Sequence, residues 1–145
     1  MKKDIKQSWH YNQPPEMVWD YLTKPELLEQ WLMKNDFLPI VGHNFQFRTK
    51  GPMPDINFNG IFSCTVLEVI PYKKLSYSWR GAGMDGSLTL DSIVVWTLEH
   101  KDGGTDLLLV QSGFSENELT LHAMMTEGWA KNIKKISDLL NNPKS

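Results

Sequence analysis

The sequence predicts an α+β fold: one curved antiparallel sheet whose apolar face is covered by a long C-terminal helix. Three observations predict it. Apolar and polar residues alternate through the middle of the chain, from Phe45 to Gln111. From Leu121 onward the apolar residues instead recur at steps of three and four, and two short helical stretches interrupt the opening. Alternation marks a half-buried strand, and the wider spacing marks one stripe of a helix. Strands in a run, with helices kept to the ends, form separate layers rather than alternating strand–helix units.

The first strand is "IKQSWHY", with Ile5, Trp9 and Tyr11 on one face. Pro14 and Pro15 halt it, and Pro15 suits the opening turn of a helix, where its missing N–H costs nothing. Val18, Tyr21 and Leu22 follow at helical spacing. Pro25 opens a second short helix, with Glu26 near its positive end and Leu27, Leu28, Trp31 and Leu32 as its apolar face. "NDFLPIVGH" then reads as a loop.

Strands dominate the next stretch. "NFQFRT" sets Phe45 and Phe47 against Gln46 and Arg48, and the Gly- and Pro-rich "KGPMPDINFNG" reads as a loop behind it. "IFSCTVLEVI" is a longer strand with Ile61, Thr65, Leu67 and Val69 sharing the inward parity, ended by Pro71. "KKLSYSW" places Leu75, Tyr77 and Trp79 inward, and "RGAGMDGS" reads as a loop. "LTLDSIVVWTLEH" turns Val94, Trp96 and Leu98 inward; Lys101 to Gly104 form a hairpin turn, and "TDLLLVQSGF" returns with Leu107, Leu109 and Gln111 on one side. That makes about five antiparallel strands in a run. Gln46, Arg48, Glu68, Lys74, Ser76, Thr97, Glu99 and Asp106 have the parity for a wet outer face.

Ser115 and Glu118 resemble a capping box for the last helix. Its stripe is Leu121, Met125, Trp129, Ile133, Ile136 and Leu140, and "NNPKS" terminates it. Gly128, directly before Trp129, is the anomaly. A helix-interior glycine costs about 1 kcal/mol relative to alanine, so the helix must there approach a neighbour or leave space.

Residues 1–145 are expected to form one domain, since no repeat, low-complexity segment or composition break divides them. A net charge of −2, with lysines and acids interspersed, offers no basic stripe for nucleic acid. No segment has the apolar length to insert in a membrane, and "MKKDIKQSWH" lacks the apolar core of an export signal. The lone Cys64 excludes an internal disulfide, and together these features point to a cytoplasmic protein.

The phrases "PPEMVWDYLTKPELLEQWL", "VGHNFQFR", "VLEVIPYKKLSYSW", "GGTDLLLVQSGF" and "EGWAKNIKKISDLL" stand in family order. Through them the chain, from about Ile5 to Leu140, resembles the activator of heat-shock-protein-90 ATPase homologue-like family. That family lies in the START-like superfamily (SRPBCC), with the polyketide cyclases, the plant pathogenesis-related allergens and the lipid-transfer domains. The resemblance implies a helix-grip fold, in which a bent sheet grips the C-terminal helix, two short helices close one end, and an apolar cavity lies between. The eukaryotic co-chaperone behind the family name carries a further N-terminal domain, for which 145 residues leave no room.

Chemistry is sparse by comparison. His10, His43, His100 and His122 stand far apart, without the spacing of a helical metal site, so neither metal nor cofactor is expected. Gly81, Gly83 and Gly86 match G-x-G-x-x-G numerically, but a strand and not a helix follows, so the loop reads as a rim or lid. No nucleophile elbow or inward carboxylate appears, and Thr65, Gln111 and Tyr77 are the polar groups on the inward parity.

With six tryptophans, four tyrosines and six phenylalanines, the interior is either very full or walls a cavity. Under the resemblance the candidate ligand-facing residues are Trp31, Phe45, Phe47, Tyr77, Trp79, Trp96, Leu107, Leu109, Gln111, His122, Met125 and Trp129. The leading expectation is binding of a small apolar or aromatic molecule (a lipid, polyketide or flavonoid-like compound) without catalysis. The alternatives are an interaction module for a chaperone or another protein, and a cyclase- or hydrolase-like enzyme using His122 and Tyr77.

Overall fold

A computed structural model describes residues 3–114 and 119–141. The chain forms β1 (Lys3–Tyr11), α1 (Pro15–Thr23), α2 (Pro25–Trp31), β2 (Lys34–Asn35), β3 (Asn44–Arg48), β4 (Ile61–Ile70), β5 (Lys74–Ala82), β6 (Leu88–Lys101), β7 (Gly104–Phe114) and α3 (Leu119–Asn141). The strands make one seven-stranded antiparallel sheet in the order β1-β7-β6-β5-β4-β3-β2. It curls into a half-barrel around α3, with α1 and α2 at one end. This is the helix-grip fold.

Local chemistry explains most of the elements. Both short helices start on a proline in their first turn. Between β6 and β7, Asp102 and Gly103 carry φ of 51° and 76°, the left-handed pair that matches the twist of a two-residue hairpin. Ladder irregularities at Lys3/Ile5, Val66/Glu68 and Gly81/Ala82 bend three of the strands, as a concave sheet requires.

On the concave side, Trp129, Ile133, Ile136 and Leu140 of α3 are buried against Tyr11, Trp96, Leu107 and Leu109 of the sheet. Two side chains of β1 also bind the helix backbone: Tyr11 Oη donates to the Ile133 carbonyl and Gln7 Nε2 to the Thr126 carbonyl, both at 2.8 Å. Each occupies a helix carbonyl, which ties α3 to one edge of the sheet. The expected capping box of Ser115 and Glu118, the side chain of Leu121 and the tail from Asn142 lie outside the described residues.

Several parities differ from the expected ones. In β4 the inward residues are Phe62, Cys64 and Val66, not Ile61, Thr65 and Leu67, and Leu67 is 44% exposed. The bulge at Leu67 explains the error: it shifts the register by one, so Val69 faces inward while the residues before it follow the opposite count. Thr65 instead donates to Asn44 Oδ1 across the outer face at 2.7 Å.

Trp9 shares parity with Ile5 and Tyr11 yet stays 38% exposed, because β1 is an edge strand with a neighbour on one side only. Ser76, expected wet, is buried, since a short side chain in a central strand is covered by the longer residues beside it. Arg80 to Ala82 continue β5 instead of joining the glycine loop. Two small elements escaped notice: β2, and a 3-10 turn at Pro54–Ile56.

Candidate functional site

A cavity of about 520 Å³ opens between the sheet and the middle of α3. Its floor is Phe62 of β4, Trp79 and Gly81 of β5, and Thr89 and Leu90 of β6. One wall is α3, through Met124, Met125, Gly128, Trp129 and Asn132; the opposite wall is the loop after β3, from Met53 to Phe58. Leu32 and Met33, just past α2, close the end. Four of the seven methionines, Met33, Met53, Met124 and Met125, therefore surround it. Methionine is unbranched and polarizable, so such a rim adapts to differently shaped guests.

Gly128 leaves this space open. A Cβ built there would meet nothing within 4 Å, so the glycine widens the cavity and does not permit a close helix contact. Of the two explanations its sequence anomaly allowed, the structure selects the second. The loop wall is held by Asn57, left-handed at φ 51°, whose Oδ1 accepts the Met84 N–H at 3.0 Å from the glycine loop after β5. The glycine loop, Gly83 to Ser87, thus braces the cavity wall from behind and is followed by a strand.

Among the sequence-predicted candidates, Trp79, Met125 and Trp129 line the cavity. Trp31, Phe45, Phe47, Tyr77, Trp96, Leu107, Leu109 and Gln111 are buried in the core. There the rings pack in a continuous series, edge-to-face for Phe45–Tyr77 and Phe45–Phe47 (both 5.3 Å), Trp79–Trp129 (5.3 Å), Trp96–Trp129 (5.5 Å) and Trp31–Trp96 (5.9 Å), and tilted for Phe47–Trp79 (4.9 Å). Such pairs gain energy beyond their buried area. His122 lies elsewhere, edge-on to Phe114 at 5.2 Å, with Nε2 3.3 Å from the Asp4 carbonyl oxygen.

A buried polar chain runs through the closed part. Trp129 Nε1 donates to Gln111 Oε1 (2.7 Å), Gln111 Nε2 to Ser92 Oγ (2.9 Å), and Ser92 Oγ to the Trp79 carbonyl (2.7 Å). Gln111 is therefore committed at both ends to protein partners. Trp96 Nε1 donates to Tyr77 Oη at 2.9 Å, and burial raises the Tyr77 phenol far above its ordinary value, keeping it neutral. Burial likewise raises the Cys64 thiol, reinforced by the Asp36 carboxylate, so it does not act as a thiolate near neutrality.

Trp79 differs from these partners. It is 1% exposed, yet its Nε1–H has no acceptor among the described residues. Among the described residues no three potential metal ligands cluster, and no helix is long and apolar enough to cross a membrane.

Sequence reasoning missed the loop wall and, apart from Trp79, the floor. Phe62 was hidden by the β4 bulge, and Met53, Ile56 and Phe58 by the glycines and prolines around them. Their signal was available: a loop with three large apolar residues in six positions has something apolar to cover.

Residues 12–141 match the family model described as Activator of Hsp90 ATPase homolog 1-like protein. No curated protein sequence matches significantly. Among solved structures, a protein from Mesorhizobium loti is 36% identical over 99% of this chain and 100% of its own, with a TM-score of 0.87. A Bacillus halodurans protein is 26% identical over 96% and 99%, with a TM-score of 0.74. The Aha1 dimer from Colwellia psychrerythraea shares the fold at 21% identity over 99% of each chain, with a TM-score of 0.78.

Proposed function

The chain belongs to the Activator of Hsp90 ATPase homolog 1-like family, and from that premise we propose that it binds a small apolar or aromatic molecule between sheet and α3, without chemical turnover. One observation carries the reading: an apolar cavity of about 520 Å³, widened by a helix glycine with open space beside it. Small-molecule sites commonly occupy about 300–1,000 Å³, with mostly apolar walls and a few polar groups. Asn57, Asn132, Thr49, Thr89 and Asp55 supply those groups here.

Catalysis has less behind it. The Tyr77 phenol is held neutral inside the core, and His122 sits against Phe114 and outside the cavity lining. A cytoplasmic location belongs to the same proposal, supported by the single, buried, unpaired Cys64.

The test is a titration of the protein with fatty acids, flavonoids and aromatic polyketides, read by thermal stabilisation and by chemical-shift changes at cavity residues. A ligand at a hundred times its Kd adds about 2.7 kcal/mol of stability. Gly128→Leu, which fills the cavity from α3, is expected to abolish the response. Shifts that survive this substitution, or an absence of any, would overturn the proposal.

A second reading, as a protein-interaction module, is favoured by one feature. Leu38, Ile40 and Val41 stand exposed together on the loop before β3. Replacing all three with serine should eliminate any specific partner recovered by pull-down; recovery undiminished by that change would sink this reading.

A further inference from the structure

Resting on that reading of the cavity, we propose that its ligand is a neutral molecule with one buried acceptor oxygen, a carbonyl above all, and that Trp79 Nε1–H is the donor that receives it. Four of the five buried tryptophans, Trp31, Trp79, Trp96 and Trp129, are no more than 3% exposed. Trp31, Trp96 and Trp129 donate their indole N–H to the Tyr21 carbonyl, Tyr77 Oη and Gln111 Oε1. Trp79, the one of the four without an acceptor among the described residues, lines the cavity.

The surroundings define what can meet that N–H. The rings against Trp79 are Phe47, Phe62, Tyr77 and Trp129, and none brings an oxygen to its N–H. Other polar lining groups are partly committed: Asn57 Oδ1 takes the Met84 N–H, and Thr49 Oγ1 donates to Gly60 O. The ring nitrogen itself is covered, so a guest that reaches it displaces a side chain of the wall, and the methionines are the most adaptable of these. A group that excludes water yet lacks a partner favours a ligand that supplies one.

Charge narrows the class further. Among the described residues no lysine or arginine lines the cavity, and the one ionisable lining group is Asp55. A carboxylate would enter without a counter-charge and face an acid at the mouth. The class is therefore aromatic ketones, quinones, enones or esters, and free fatty acids are excluded from it.

Three matched probes test this on isotope-labelled protein: acetonaphthone, the isosteric hydrocarbon isopropenylnaphthalene, and naphthoate at neutral pH. The ketone is expected to move the Trp79 indole proton downfield, which the hydrocarbon does not, and to bind about tenfold more tightly. Naphthoate should bind most weakly, and Trp79→Phe should erase the ketone's advantage while leaving hydrocarbon binding. If that variant does not fold, the wild-type indole shift, assigned through the backbone, decides alone. Equal affinity with no selective indole shift would overturn the inference and leave the cavity reading standing. Tightest binding by naphthoate would overturn the neutral class, and binding by none of the three would overturn both.

Discussion

Around Trp96 the interior is closed, and around Trp79 it is open, although both tryptophans lie on neighbouring strands under the same helix. In the closed part Trp96, Tyr77, Trp129, Gln111 and Ser92 satisfy one another with short hydrogen bonds. In the open part Gly81, Gly128 and four methionines stand among the aromatics, and the Trp79 N–H has no partner among the described residues. The lesson is that one sheet face can be core at one end and cavity wall at the other. Polar satisfaction, more than composition, separates the two ends.

The contrast can be broken from the closed side first. Trp96→Ala is expected to cost about 3–5 kcal/mol in urea unfolding, because a filled aromatic stack cannot collapse around so large a loss. A cost no larger than that of Met124→Ala at the rim would dissolve the distinction. Gln111→Leu keeps the bulk but strands the Trp129 N–H, for a loss of about 1–3 kcal/mol; unchanged stability would mean the polar chain contributes nothing.

Alkaline pH sharpens the same comparison. The folded-state values of Tyr11, Tyr77 and Cys64 are raised by burial above ordinary values of 10.0, 10.0 and 9.0. Their stabilising effect is complete below those ordinary values. It is lost as pH rises, because the unfolded chain ionises while the folded one holds its protons. Stability should therefore fall from about pH 9 upward, by about 1.4 kcal/mol per pH unit for each group engaged. Tyr77→Phe should reduce the slope, and an unaltered slope would exclude Tyr77 as a contributor.

The smallest effect belongs to the open side. Gly128→Ala should stabilise the protein by up to about 1 kcal/mol, since it recovers helix propensity where a Cβ meets nothing. Destabilisation measured by thermal melting would show that the helix is closer to its surroundings than the open space indicates.

Much of this was legible beforehand. Pro15 and Pro25 announced their helices, the Asp102-Gly103 turn its hairpin, and the spacing of Trp129, Ile133, Ile136 and Leu140 the gripped face of α3. These signals are local: each depends on a residue's own backbone limits or on a period set by one element. The cavity was legible at Gly128, Trp79, Met125 and Trp129, and illegible at Phe62, where one bulged residue inverts the count. Gln111 shows the limit from the other side. Its inward parity was right, but no pattern could say that its amide joins Trp129 to Ser92 instead of facing a guest.

The sequence by itself determined the elements, their order and the apolar side of the sheet, because periodicity and turn chemistry act over a few residues. Only the tertiary structure decided which aromatics fill the core and which wall a cavity. That depends on how far a bulged, curling sheet stands from α3, and on which N–H groups find acceptors across the gap. Partners such as Trp129 and Gln111 are 18 positions apart in the chain, beyond the reach of any local pattern.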